Sequence, residues 1–152
     1  MNKTADISLQ LSAYLAPRYW PLWFAIGLLR LATFLPVSML QSMGSAIGIL
    51  IYRMVPSRRR AARINLKQAY PDLSDEEIDD LNKKSFRSLG ISIFETGIAW
   101  FTRSEDLQKI CQIEGKQHLD AAMAEGKGVL LLTGHFTTLE IGGRLMGLQL
   151  EQ

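Results

Sequence analysis

Apolar positions follow different rules in different parts of the chain. From Tyr19 to Leu35 they are nearly continuous, with Trp20, Trp23, Phe24, Ile26, Leu28, Leu29, Leu31 and Phe34 broken only by Arg30. Pro36 interrupts the run. Val37 to Tyr52 continues it in weaker form, diluted by Ser38, Gln41, Ser42, Gly44, Ser45 and Gly48, and no charge of either sign occurs over the 22 positions from Leu31 to Tyr52. A membrane-crossing helix needs about 20 mainly apolar residues. The pattern therefore predicts one transmembrane helix followed by an interfacial or protein-packed helix, an N-terminal anchor spanning residues 1–56. Tyr19, Trp20 and Trp23 open the run where amphipathic rings suit the headgroup level. Arg53, Arg58, Arg59, Arg60, Arg63 and Lys67 follow it, which places that end on the cytoplasmic side. A cleaved signal peptide fits less well, since the run begins late and no small-residue cleavage site precedes the Arg cluster. A buried helix pair does not account for the aromatic start and basic exit.

Beyond Pro71 the periods change. Ser74 as N-cap, Glu77 three residues later and the pair Leu73 and Ile78 form a capping box with a hydrophobic staple. The acids Asp75, Glu76 and Glu77 suit the positive end of the helix dipole. This helix should run to about Trp100, with Ile78, Leu81, Phe86, Leu89 and Ile93 on or near one face. Gly90 and Gly97 would allow a close neighbour, and Glu95 and Thr96 are polar residues in an otherwise apolar stretch. A short strand is expected at Ile110 to Glu114, then a helix from Lys116 to Ala124 closed by Gly126. The run Gly128-Val129-Leu130-Leu131-Leu132-Thr133-Gly134 reads as a strand buried on both faces. A further helix should begin near Thr137 and carry Leu139, Ile141, Leu145, Met146 and Leu148. Alternation of strand and helix argues for an α/β fold. Two parallel strands make an incomplete sheet with bare edges, so residues 57–152 are expected to be the N-terminal part of a larger catalytic domain.

Charge sharpens this division. Up to Pro71 there are nine Lys or Arg and one acid, and after it eight against fourteen. The cluster Ser57-Arg58-Arg59-Arg60-Ala61-Ala62-Arg63 has two readings. Its guanidinium forks could hold a phosphorylated lipid headgroup, making Arg58, Arg59, Arg60 and Arg63 candidate substrate-binding residues; or it could only fix topology and attract anionic lipid. Nucleic acid is not called for, since a basic run after a membrane segment is already explained. Cys111 is the only cysteine, so no intrachain disulfide forms.

The candidate chemistry lies at Gly134-His135-Phe136-Thr137-Thr138-Leu139-Glu140. His135 ends the expected buried strand, where open α/β sheets bind ligands. Within one helix His135 and Glu140 would point about 140° apart. With His135 on the preceding loop, its ring can fold back toward Glu140. A neutral imidazole oriented by a carboxylate is the arrangement that deprotonates a hydroxyl for attack on an acyl group. Backbone N–H groups opening the next helix could steady an oxyanion. No third metal ligand is nearby, because His118 and Cys111 lie before the run.

The segment GVLLLTGHFTTLEIGGRLMG (Gly128 to Gly147) resembles the H-x4-E region of the lipid A biosynthesis acyltransferases, the lauroyl- and myristoyl-transferring enzymes of Gram-negative inner membranes. PRYWPLW, RRRAARINL, the Pro71-Asp72-Leu73-Ser74 helix start, ETGIAWF and IEG resemble the same family in the same order, and most closely its lauroyltransferase branch acting on the Kdo-bearing lipid A precursor. The resemblance implies an inner-membrane, single-pass enzyme whose catalytic part is cytoplasmic. It implies acyl carrier protein as donor, a hydroxyl of the acylated glucosamine disaccharide as acceptor and lauroyl as the chain moved. His135 would be general base and Glu140 its partner, with no metal or nucleotide cofactor. Family members are about twice as long, so this chain is expected to be an incomplete, inactive fragment. Two other readings stand beside it. One is a membrane-anchored, noncatalytic binding protein that uses the Arg cluster. The other is a glycerolipid acyltransferase, whose motif normally carries Asp at the position of Glu140.

Overall fold

The computed structural model describes residues 14–150, and all regular structure among them is helical. A 3-10 turn at Pro17–Tyr19 leads into α1 (Trp20–Ala32), α2 (Val37–Met54), α3 (Pro56–Ala69), α4 (Asp75–Phe101), α5 (Ser104–Ile110), α6 (Lys116–Ala124) and α7 (Leu139–Leu150). The first thirteen residues of the expected anchor, and Glu151 and Gln152, lie outside the described residues.

The α/β expectation is corrected. Neither 110–114 nor 128–134 is a strand, and among the described residues no strand lies beside either. The second run instead leaves Leu130 95% and Leu132 98% exposed. A strand is a property of a pair: without a ladder its backbone N–H and C=O groups have no partners and its side chains no covering layer.

The single-pass transmembrane expectation is corrected as well. α1 has 13 residues, a length of about 20 Å against a hydrocarbon core of about 30 Å, and residues 33–36 then turn the chain. α2 turns its glycine face to protein. No helix among the described residues is long and apolar enough to cross a membrane, so the single-pass inner-membrane placement is not supported. Arg30, the charge within the apolar run, reaches along α4: its Nη1 donates to the Phe101 carbonyl at 2.6 Å and its guanidinium lies over the Phe34 and Phe101 rings. A cation there meets the negative end of the helix dipole.

α4 is the axis of the molecule. Its start is as expected: the Ser74 N–H and hydroxyl donate to Glu77 Oε2 at 2.8 and 2.7 Å, and the Glu77 N–H donates back to Ser74 Oγ at 3.3 Å. These bonds hold the Glu77 carboxyl below its ordinary range. The buried face is a row with a spacing of four, Ile78, Asn82, Phe86, Gly90, Phe94 and Ile98, whereas Leu89 and Ile93 lie off it and are nearly half exposed. α2 crosses this row at Gly44 and Gly48, and the two backbones meet directly. A Cβ built on Gly90 would lie 2.0 Å from the Gly44 carbonyl oxygen, and one on Gly48 would lie 2.0 Å from that of Phe86. Toward the other end, Leu40, Phe94, Ile98, Leu107 and Leu145 form the core, joining α2, α4, α5 and α7.

Candidate functional site

His135 sits on the irregular segment before α7 and Glu140 in the first turn of that helix. The Phe136 N–H donates to the Gly134 carbonyl at 2.9 Å, the Leu139 N–H to that of Phe136 and the Gly142 N–H to that of Thr138. Thr138 is therefore the residue from which α7 starts, and the first-turn N–H groups after it lack intrahelical acceptors. Both His135 and Glu140 are exposed. Among the described residues no hydrogen bond joins them, so the loop places them at one helix start without closing the pair.

Thr138 also lines an open cavity of about 410 Å³ between α2, α4, α7 and the segment after α5. Its walls are mainly apolar, including Leu40, Phe94, Ile98, Ile141 and Leu145, with Gln41, Glu95, Cys111 and Gln112 as polar points. Burial raises the Glu95 carboxyl above its ordinary range. Burial, with Glu95 adding to it, raises the Cys111 thiol, which makes that sulfur a poor nucleophile. Sequence reasoning singled out Glu95 as a polar exception but gave no cavity for it to face. Arg144 fixes α7 against this assembly: its guanidinium donates to the Ala99 carbonyl and, at 3.5 Å, to Ser104 Oγ. Pattern reading passed over Arg144, whose partners are 45 and 40 residues away.

The four arginines of the basic cluster do different things. Arg63 is committed to acids, with Nε 2.7 Å from Asp79 and Nη2 3.2 Å from Asp75. Arg59 lies over the Tyr52 ring at 5.1 Å. Arg59, Arg60 and Arg63 line a cleft of about 320 Å³ with Tyr52, Asp79 and Asn82, whereas Arg58 is exposed and is not part of that lining. Asn82 was missed by sequence reasoning, although a polar residue in the four-residue row between Ile78 and Phe86 was the available signal.

A sequence model described as bacterial lipid A biosynthesis acyltransferase matches residues 10–152. The lipid A biosynthesis palmitoleoyltransferase of Escherichia coli K12 is 39% identical over 135 residues, covering 89% of this chain and 44% of that protein. The lipid A biosynthesis lauroyltransferase of the same organism is 35% identical over 138 residues, covering 91% and 45%. A lipid A biosynthesis acyltransferase of Haemophilus influenzae is 35% identical over 137 residues, covering 89% and 43%. The chain thus spans less than half the length of these curated relatives. No solved structure matches it.

Proposed function

Because the chain belongs to the bacterial lipid A biosynthesis acyltransferase family, we propose that the protein transfers a fatty acyl group from acyl carrier protein to a hydroxyl of a lipid A precursor. The observation that carries this reading is the family match across His135 and Glu140, set where α7 begins beside an apolar cavity.

In the proposed reaction the neutral His135 imidazole removes the proton of the acceptor hydroxyl as its oxygen attacks the thioester carbonyl. Glu140 orients the ring and stabilises the imidazolium that forms. First-turn N–H groups of α7 face the developing oxyanion. Collapse of the tetrahedral intermediate expels the carrier thiolate, which takes up the proton, so an ester replaces the thioester. Apo geometry leaves room for this, since catalytic hydrogen bonds commonly tighten only with substrate bound. The scheme calls on no metal or nucleotide.

Membrane lipid is the proposed environment of the acceptor. Trp20, Leu22, Phe24, Leu31 and Phe34 are each more than half exposed, and an apolar groove of about 490 Å³ runs between α1, α2 and α4, lined by residues such as Leu28, Met43 and Phe94. Exposed apolar side chains and an apolar groove of this kind suit contact with hydrocarbon at a bilayer surface.

The test is acyl transfer by the full-length protein with acyl carrier protein thioesters as donors and either a lipid A precursor or glycerol 3-phosphate as acceptor. Transfer to the lipid A precursor, lost by at least about a hundredfold in His135→Ala, supports the reading. Transfer to glycerol 3-phosphate alone, or a His135→Ala variant as active as the parent, overturns it.

A further inference from the structure

The cleft between α2, α3 and α4 contains a fully buried side chain with an unmet need. Asn82 is 0% exposed. Its Nδ2 donates to the Arg59 carbonyl at 3.0 Å, and since a carbonyl can only accept, this bond fixes which end of the amide is which. Oδ1 is left with no hydrogen-bond partner among the described residues. A buried acceptor without a donor costs about 1–3 kcal/mol unless a ligand or water supplies one.

Around this acceptor the cleft is basic. Arg59, Arg60 and Arg63 line it against a single carboxylate, Asp79, which Arg63 already pairs at 2.7 Å. Arg60 is exposed, with no acidic partner among the described residues, while Arg59 is held over Tyr52. Guanidinium forks match phosphate oxygens. Phosphate alone would leave Oδ1 unmet, because an ionised phosphate offers acceptors and no donor. A hydroxyl close to the phosphate satisfies both demands, and a volume of about 320 Å³ lies within the ordinary range for small-molecule sites.

We propose that this cleft binds a phosphorylated sugar or polyol, with the phosphate on Arg60 and Arg59 and a neighbouring hydroxyl donating to Asn82 Oδ1. Asn82 and Glu95 are thirteen positions apart on α4, about 20 Å along the helix axis, so the headgroup site stands well away from the apolar cavity beside α7. Only the identity of the natural ligand, a phosphorylated glycolipid acceptor, rests on the acyltransferase reading.

Binding can be followed by calorimetry on the full-length protein without any acyl transfer. Glucosamine 1-phosphate is expected to bind at least about tenfold more tightly than methyl phosphate or glucosamine. Arg60→Ala should weaken it about tenfold, the effect of one charge-assisted hydrogen bond, whereas Arg58→Ala should change it less than about twofold. Asn82→Leu, if its melting is unchanged, should abolish the preference for the sugar phosphate over methyl phosphate; should it not fold, the ligand series and Arg60→Ala still decide. Phosphatidylcholine vesicles doped with phosphatidylinositol 4-phosphate or with phosphatidic acid separate the sources. Retention by the former, lost in Arg60→Ala, assigns a lipid headgroup, and binding of the free sugar phosphate without retention assigns a soluble ligand. Absence of saturable binding to any phosphate, or equal losses in Arg58→Ala and Arg60→Ala, overturns the site. Because His135→Ala should leave this binding intact, failure of the catalytic reading and failure of the cleft are distinguishable.

Discussion

Replacing Gly90 by Ala tests the closest contact in the fold. In an exposed helix this substitution stabilises by about 0.5–1 kcal/mol, since Ala loses less backbone entropy. At Gly90 the added methyl would sit 2.0 Å from the Gly44 carbonyl oxygen, 2.5 Å from the Gly48 nitrogen and 2.8 Å from the Gly48 Cα. All three are backbone atoms on a helix, so none can swing aside as a side chain end could. The helices must part by about an ångström, and a gap of that size forfeits a quarter to a half of each dispersion contact across the interface. Overpacking of this kind costs about 1–3 kcal/mol, occasionally more, and lost contact along the α2–α4 seam adds to it. The net expectation is a loss of about 2–4 kcal/mol. In urea, with a slope of about 2 kcal/mol per molar, the midpoint should fall by about 1–2 M at unchanged slope. Gly27→Ala is the internal reference, because nothing lies within 4 Å of a Cβ built there, and it should raise stability by up to about 1 kcal/mol. A Gly90→Ala protein as stable as Gly27→Ala would refute the claim that α2 and α4 meet backbone to backbone.

Two further predictions concern the surroundings of α7. Burial raises the Glu95 carboxyl above its ordinary value of 4.5; the folded state therefore holds this proton more tightly than the unfolded state, and stability is lost as pH rises through the folded value. The difference in stability between the parent and Glu95→Gln, followed by thermal melts across that window, should shift in favour of the Gln variant as pH rises; a pH-independent difference would contradict it. Removing the guanidinium in Arg144→Ala leaves the Ala99 carbonyl, near the C-terminal end of α4, without that donor, at a cost of about 1–3 kcal/mol. Amide exchange within 139–148 should quicken while 78–90 stays protected, with Arg144→Lys giving partial rescue; uniform quickening of both segments would show a global effect instead.

The sequence by itself determined what depends on neighbours within a turn or two. Ser74 and Glu77 define the start of α4 because the capping partners are three residues apart, and the limits of α6 match expectation because Gly126, at φ +68°, can close a helix where other residues are strained. Motif order was also local information, and it carried the family assignment. Tertiary structure decided whatever requires a distant partner. The run 128–134 has strand composition, yet composition cannot supply the second strand, and among the described residues no ladder forms along it. Apolar content alone could not distinguish helices covered by lipid from a helix whose Gly44 and Gly48 admit another backbone, since both exclude charge. The basic cluster looked uniform because adjacent arginines carry the same charge. The fold separated them by giving Arg63 two carboxylates, Arg59 an aromatic face and Arg60 an open cleft floored by Asn82.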